Sequence, residues 1–98
     1  MVKEFTVKNS EELYKILEHG DYKISKAIVD KILENLNGTK KHVHVVSIFC
    51  EEDSYIYDLT LERKNFSSTL ESNLETFEQA EDYEGCAQIK KAIEQLKK

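Results

Sequence analysis

The chain has 98 residues, of which 19 are Asp or Glu and 14 are Lys or Arg, so its formal net charge is −5 at neutral pH. This length suits one domain with a single modest core, and no apolar run approaches the ~18 residues of a membrane-spanning helix. The acidic balance disfavours a general nucleic-acid binder, because phosphate contacts need clustered Lys and Arg. No basic segment followed by an apolar stretch opens the chain, so we expect a cytoplasmic rather than a secreted protein.

The first third of the chain predicts one strand and two helices. Apolar and polar residues alternate over residues 2–7, which is typical of a short strand. Ser10 is a suitable N-cap for a first helix, and Gly20 is a suitable end for it. A second helix is predicted from Tyr22 to Asn37, because its apolar residues recur at helical spacing.

The middle of the chain predicts a β-hairpin. Residues 42–50 are rich in β-branched residues, residues 55–62 alternate strictly, and the four polar residues between them suit a turn. We expect Ile48 to lie opposite Tyr57, because a slip of one residue would bury Asp58. The predicted core face carries Val46, Ile48, Cys50, Tyr55, Tyr57, Leu59 and Leu61, and the predicted mixed face carries Val45, Ser47, Phe49, Ile56, Asp58 and Thr60.

From residue 65 onward the apolar period becomes helical again, in one stripe over residues 66–77 and another over residues 83–96. No Gly or Pro enforces a break, so one long helix is an alternative, but two such stripes favour an antiparallel helical hairpin in which each buries the other. The sequence therefore predicts an α+β fold with a small antiparallel sheet and the order β-α-α-β-β-α-α. We expect one domain over residues 1–98, with an α/β core in residues 1–64, a β-hairpin in 42–62 and a helical hairpin in 65–98.

No group of residues predicts catalysis, a cofactor or a metal. The consecutive acids Glu51, Glu52 and Asp53 fall in an exposed turn, where they are solvated rather than tuned for acid–base chemistry. His42 and His44 share a strand face, yet a structural zinc site needs four ligands and a catalytic site needs three. Three glycines in the whole chain leave little material for a phosphate-binding loop. We expect a protein that is not an enzyme.

The two cysteines, Cys50 and Cys86, lie far apart in the sequence and match neither a disulfide framework nor a paired zinc motif. We expect both thiols to be reduced and buried, where they act as small apolar groups.

Near the C-terminus an aromatic–acidic pair, Tyr83-Glu84, is followed by two small residues, Cys86-Ala87, and then by the apolar Ile93. This stretch resembles the UVR motif, the helical hairpin found in bacterial excision-repair proteins and in some regulators of Clp proteases. That pattern continues with Arg-Asp, whereas this chain has two lysines, so one charge is kept and the other is reversed. We expect the two small residues to let the partner helix approach closely.

Phe66 and the segments 57–63, 69–71, 73–75 and 83–87 also resemble short uncharacterised proteins of tailed bacteriophages. This resemblance implies a phage-encoded accessory protein that acts in the host cytoplasm, and it brings no assigned activity or site.

We therefore expect a small, non-enzymatic accessory or regulatory protein that binds a host or phage protein. One predicted docking surface is the mixed face of the β-hairpin, around Phe49 and Ile56. The other is the outward polar face of the helical hairpin, where an amphipathic tyrosine beside the bend can contact a partner. The predicted partner-binding residues of the helical hairpin are Glu71, Glu75, Glu78, Tyr83, Glu84, Gln88, Lys91 and Gln95.

Two alternatives stay open at this point. A nucleic-acid-associated regulator would use the basic dipeptides at 40–41, 63–64, 90–91 and 97–98, if the fold gathers them at one end. Self-association is the other, because a helical hairpin can pair with its own copy in a symmetric four-helix contact.

Overall fold

The computed structural model describes residues 2–97 and has the predicted α+β order. The three strands form one sheet in the order β1-β2-β3. β1 runs parallel to β2 and β2 runs antiparallel to β3, so the sheet is mixed rather than antiparallel throughout. The parallel pair follows from the two helices between β1 and β2, which bring the chain back to the end of the sheet where it began. The elements are β1 (Glu4–Val7), α1 (Ser10–His19), α2 (Tyr22–Glu34), β2 (His42–Cys50), β3 (Tyr55–Glu62), a short 3-10 turn (Arg63–Asn65), α3 (Phe66–Gln79) and α4 (Tyr83–Leu96).

The predicted register of the β-hairpin is confirmed, with Ile48 opposite Tyr57 and the neighbouring pairs as expected. A β-bulge between His44 and Val46 was not predicted. It adds Val45 to β2 as an extra residue, which is 4% exposed and lies in the core instead of on the mixed face. Strict alternation cannot reveal an inserted residue, since a bulge changes the phase of the pattern within a continuous apolar run.

Tyr55 also departs from the prediction, because 57% of its surface is exposed although it lies on the core side of β3. It is the first residue of β3, beside the hairpin turn, and its ring makes an edge contact with Tyr57 at a centroid distance of 4.8 Å. A residue on the core side of a strand can therefore still be exposed when it lies at the end of that strand, beside the turn.

The N-cap of α1 is Asn9 and not Ser10, which is the first residue of the helix. The Asn9 side-chain oxygen accepts a hydrogen bond of 2.9 Å from the backbone N–H of Glu12. Asn9 and Ser10 are both good capping residues, so sequence preference alone could not separate them. The C-terminal end is as predicted, with Gly20 in the left-handed region at φ 83°.

α2 ends at Glu34, three residues earlier than predicted. Arg63 contributes to this end, since its guanidinium donates to the backbone carbonyls of Asn35 at 2.9 Å and of Lys40 at 2.7 Å. The guanidinium also lies 4.9 Å from the centre of the Phe66 ring, a cation–π distance. Arg63 thus fixes the loop that joins α2 to β2.

The main core cluster joins the sheet and α2 to both helices of the helical hairpin, so the two predicted segments share one core. A smaller cluster packs α1 against the sheet. The buried residues of the main cluster are Ala27, Val29, Ile32, Val43, Val45, Val46, Phe66, Leu70, Phe77, Cys86, Ile89, Ala92 and Ile93.

α3 and α4 approach each other closely at Gly85, a position that the motif resemblance did not single out. A Cβ at Gly85 would lie 2.5 Å from Cδ2 of Phe77, so only glycine fits without displacing that ring. Of the two small residues that were expected to serve this purpose, Cys86 is buried but Ala87 is exposed. Both cysteines, Cys50 and Cys86, are free and buried, as predicted.

None of the helices formed by residues 2–97 combines the length and the apolar character that crossing a membrane would require.

Candidate functional site

The eight predicted partner-binding residues of the helical hairpin are all exposed, but they do not lie on one surface. Gln88, Lys91 and Gln95 lie together on α4 in a shallow hollow of about 170 Å³, which Leu33 of α2 and Leu36 of the turn after α2 complete. Gln95 also donates to the side chain of a loop asparagine, residue 37, at 2.9 Å. This group therefore forms a small mixed patch where α4 meets the end of α2.

The remaining predicted residues fall elsewhere. Glu78 and Tyr83 line a hollow of about 530 Å³ at the bend between α3 and α4. Glu75 faces a different groove, described next, while Glu71 and Glu84 line none of these hollows. The contact of these residues with a partner stays a prediction.

A groove of about 690 Å³ lies where the α1–α2 corner, β3 and α3 meet, and we call it the α1–α3 groove. Its floor is apolar and contains Ile16, Ile24, Ile28 and Leu59, which come from α1, α2 and β3. Leu17 stands at its edge with 56% of its surface exposed. An exposed leucine beside an apolar floor is a candidate contact for another macromolecule.

The shape of the groove depends on the turn between α1 and α2. A Cβ at Gly20 would lie 2.9 Å from the Thr76 hydroxyl, so this glycine turn approaches α3 closely. The positive φ of Gly20 sharpens the turn, and other residue types rarely adopt it. The wall that α3 contributes is polar and consists of Ser72, Asn73, Glu75, Thr76 and Gln79.

The charged residues around the α1–α3 groove are acidic. Glu18, Asp21 and Glu75 line it, together with His19, and none of its lining residues within the described part of the chain is Lys or Arg. The groove thus combines an apolar floor with a negative rim, an arrangement that attracts positively charged ligands.

A polar cluster on the open face of the sheet was not predicted. Ser47 and Asp58 are cross-strand partners, and the Ser47 hydroxyl donates to Asp58 Oδ1 at 2.6 Å. His44 Nε2 lies 2.9 Å from Ser47 Oγ and 3.4 Å from Asp58 Oδ1. His44 and Ser47 are three residues apart, and they share a face only because the bulge changes the alternation between them.

This Ser-His-Asp cluster lacks the connections of a catalytic triad. In a triad the histidine lies between the other two groups, takes the serine proton on one ring nitrogen and is oriented through the other nitrogen by the acid. Here the Ser47 hydroxyl donates directly to Asp58, so its oxygen accepts from His44 Nε2. The backbone N–H of Ser47 donates to the carbonyl of Lys3 in the sheet at 3.1 Å and cannot stabilise an oxyanion. The cluster links neighbouring strands and leaves the serine without a base.

The basic dipeptides do not form one surface. Lys41 lines a hollow with Arg63 and Lys64, so two of the four dipeptides do meet. However, Arg63 is engaged with the loop, and Lys64 pairs with Glu62 at 3.2 Å. Lys91 lies on α4 beside α2, in the hollow described above. Of the last dipeptide, residue 98 lies outside the described residues.

No group of three or more His, Cys, Asp or Glu side chains within residues 2–97 could hold a metal ion. His42 and His44 remain on the exposed face, where His42 lies 3.7 Å from Glu62. The bulge puts both histidines on the opposite face of β2 from Cys50, which lies in the core as predicted.

A hydrogen bond links α2 to the start of α4. The Tyr22 hydroxyl donates to Asp82 Oδ2 at 2.7 Å, and Asp82 Oδ1 accepts from the backbone N–H of Gly85 at 2.9 Å. These two bonds hold the pKa of Asp82 below its usual value, and the bond to Asp82, followed by desolvation, raises the pKa of Tyr22.

This hydrogen bond gives a pH-dependent prediction. Because the pKa of Asp82 is lower in the folded state, its contribution to stability is present above its unfolded pKa, about 4, and is lost as the pH falls through the folded value. Tyr22→Phe should therefore lower the melting temperature at neutral pH, and this difference from wild type should shrink in acid. Thermal melts of both proteins from pH 2 to 8 measure it. Tyr83→Phe, at an exposed tyrosine, is the control, and a difference that is constant with pH would contradict the assignment.

Comparison of the chain with protein-family models, with curated proteins and with solved structures found no match. The resemblances to the UVR motif and to tailed-phage proteins therefore stay hypotheses.

Proposed function

We propose that the protein acts without catalysis, as a small binding domain that docks another protein at the α1–α3 groove. The observation that supports this is an apolar floor open to solvent next to β3, whose outer edge pairs with no other strand in residues 2–97. Exposed apolar surface in the groove, such as Leu17 at its edge, costs solvation free energy in the free protein, and a partner that covers it recovers that cost.

The helical hairpin offers two other docking surfaces for this function. One is the hollow at the bend, where 67% of Tyr83 is exposed, and the other is the patch around Gln88 and Lys91. Compared with the α1–α3 groove, both hollows are smaller. The groove is therefore the stronger candidate.

The test compares three baits in affinity capture from a lysate followed by mass spectrometry. Leu17→Gln makes the edge of the groove polar, and Tyr83→Gln replaces another exposed large side chain with glutamine on the helical hairpin. Both side chains are more than half exposed, so both variants should keep the wild-type melting temperature. We expect a set of proteins that wild type and Tyr83→Gln capture and that Leu17→Gln loses.

Two outcomes would contradict docking at the groove. Equal capture by all three baits would show that neither surface is used, and loss with Tyr83→Gln alone would move the docking surface to the helical hairpin. Binding to DNA or RNA with a steep salt dependence that Lys41→Ala weakens would support the nucleic-acid alternative instead.

A further inference from the structure

We infer that the outer edge of β3 and the α1–α3 groove together bind an extended segment of a partner protein, in which apolar residues alternate with Lys or Arg, and that this segment joins the sheet as a fourth strand. This inference rests on the proposed function and specifies the chemistry of the partner. Three observations support it. The outer edge of β3 has backbone groups that can form hydrogen bonds, apolar residues of the groove lie on one side of β3, and acidic side chains lie on the other side.

The hydrogen-bonding pattern of the sheet leaves alternate residues of β3 directed outward. Arg63, just after β3, donates its backbone N–H to the carbonyl of Lys41 at 2.7 Å. Because residues two apart bond to the same neighbouring strand, the odd-numbered residues of β3 bond to β2. The bulge lies on β2, so this alternation on β3 is uninterrupted. Ile56, Asp58 and Thr60 consequently direct their backbone N–H and C=O groups to the open edge.

The edge of β3 has no Pro, no Lys and no bulge. It forms an unbroken strand of eight residues from Tyr55 to Glu62, whose charged side chains are Asp58 and Glu62. Natural sheets commonly protect long edges with such residues or with a bulge on the edge strand itself. A peptide strand added to such an edge gains main-chain hydrogen bonds without any rearrangement of the sheet.

The two sides of an added strand would meet different surroundings. Side chains on the core side of the added strand would lie beside Tyr57 and Leu59, which are both half-buried. Leu59 belongs to the floor of the groove. Apolar side chains on this side of the added strand would enter the α1–α3 groove and complete the cover over Leu59. Side chains on the open side of the added strand would lie beside Asp58 and Glu62, which are directed away from the core.

Charge complementarity selects basic residues for the open side. Cross-strand neighbours of opposite charge stabilise a sheet, whereas like charges destabilise it. Asp58 and Glu62 therefore favour Lys or Arg on the open side of the added strand. Glu18, Asp21 and Glu75 line the groove on the other side, and they add a longer-range attraction for a segment with a positive net charge. A second copy of this chain would bring a net charge of −5 and the same acids to the contact, so a basic partner fits better.

The probe is an eight-residue peptide of alternating Val and Lys with blocked ends, measured by fluorescence anisotropy and by amide chemical shifts of the full-length protein. We expect binding that shifts the amide signals of Ile56, Asp58 and Thr60. Methylation of the peptide nitrogens that face β3 should weaken binding by about tenfold or more, because several hydrogen bonds are lost. Replacing each Lys of the peptide with Glu should abolish binding.

A matched pair of variants tests the role of the groove. Glu75 lines the α1–α3 groove, whereas Glu71, one turn earlier on α3, is exposed and does not. Glu75→Lys should weaken binding of the Val-Lys peptide by about fivefold at low salt, and Glu71→Lys by less than about twofold, since only the first changes a charge at the site.

Several results would overturn the inference while leaving the proposed function testable. Equal effects of the two Glu→Lys variants, equal binding of the methylated peptide, or amide shifts confined to α4 would each exclude strand addition at β3. A concentration-dependent dimer that contacts itself through β3 would assign the edge to a second copy. If the peptide fails to bind while protein capture still depends on Leu17, the groove binds a partner of different chemistry. If capture is also independent of Leu17, the proposed function fails as well.

Discussion

Replacing Ile48 with alanine is expected to lower the free energy of unfolding by about 2–5 kcal/mol. Ile48 is 0% exposed and lies on the central strand, opposite Phe5 of β1 and Tyr57 of β3. Removing three carbon atoms there loses their transfer free energy and leaves a cavity that strands on both sides cannot readily close. Denaturant unfolding of both proteins measures the difference, provided that the m values agree.

Ile56→Ala is the matched control, because the same side chain is removed from the other face of the same β-hairpin. Ile56 is 48% exposed, so we expect a loss below about 1 kcal/mol. A loss at Ile56 that equals or exceeds the loss at Ile48 would contradict the assignment of the two sheet faces.

The order of elements and the register of the β-hairpin could be predicted from the sequence, because both depend on local periodicity. Alternation fixes which residues share a face, and a short polar turn fixes which residues lie opposite, as with Ile48 and Tyr57. The helical stripes after residue 65 likewise require a partner surface, and the antiparallel pair of α3 and α4 supplies it.

The features that escaped prediction depend on contacts between distant residues. The bulge at Val45 breaks the alternation inside an apolar run, so neither the burial of Val45 nor the cluster of His44 with Ser47 and Asp58 had a local signal. The ending of α2 depends partly on Arg63, almost thirty residues later in the chain. Helix propensity between Glu34 and Asn37 carries no information about that arginine.

The α1–α3 groove could not be predicted either, because it too depends on contacts between distant residues. Its floor combines Ile16, Ile24 and Leu59. The apolar pattern of each element indicates an ordinary core residue at each of these positions. Glu75 was expected to contact a partner together with the outer face of α4, yet the fold places it in the α1–α3 groove, apart from the patch on α4. A helical pattern separates polar from apolar positions, but it does not predict between which elements a groove will remain open.

Gly85 lies where α4 packs closely against the Phe77 ring of α3, so a side chain at this position should be costly. Gly85→Val should lower the free energy of unfolding by about 1–3 kcal/mol, the usual cost of overpacking a core. A Cβ at this position would lie 2.5 Å from Cδ2 of Phe77 and 2.7 Å from Oδ2 of Asp82. The Phe77 ring cannot move aside easily, because it is buried and makes an edge contact with the Tyr22 ring at a centroid distance of 5.4 Å.

Ala87→Val, two residues along the same helix, is the control. Ala87 is exposed, so the added methyl groups meet no neighbour in the core and only the lower helix propensity of valine, about 0.5 kcal/mol, should appear. Denaturant unfolding of both variants decides between two accounts of the helical hairpin. A large loss at Gly85 with a small one at Ala87 would establish Gly85 as the point of close approach. The reverse order would return that role to the small-residue pair of the UVR-like stretch, with Ala87 facing α3.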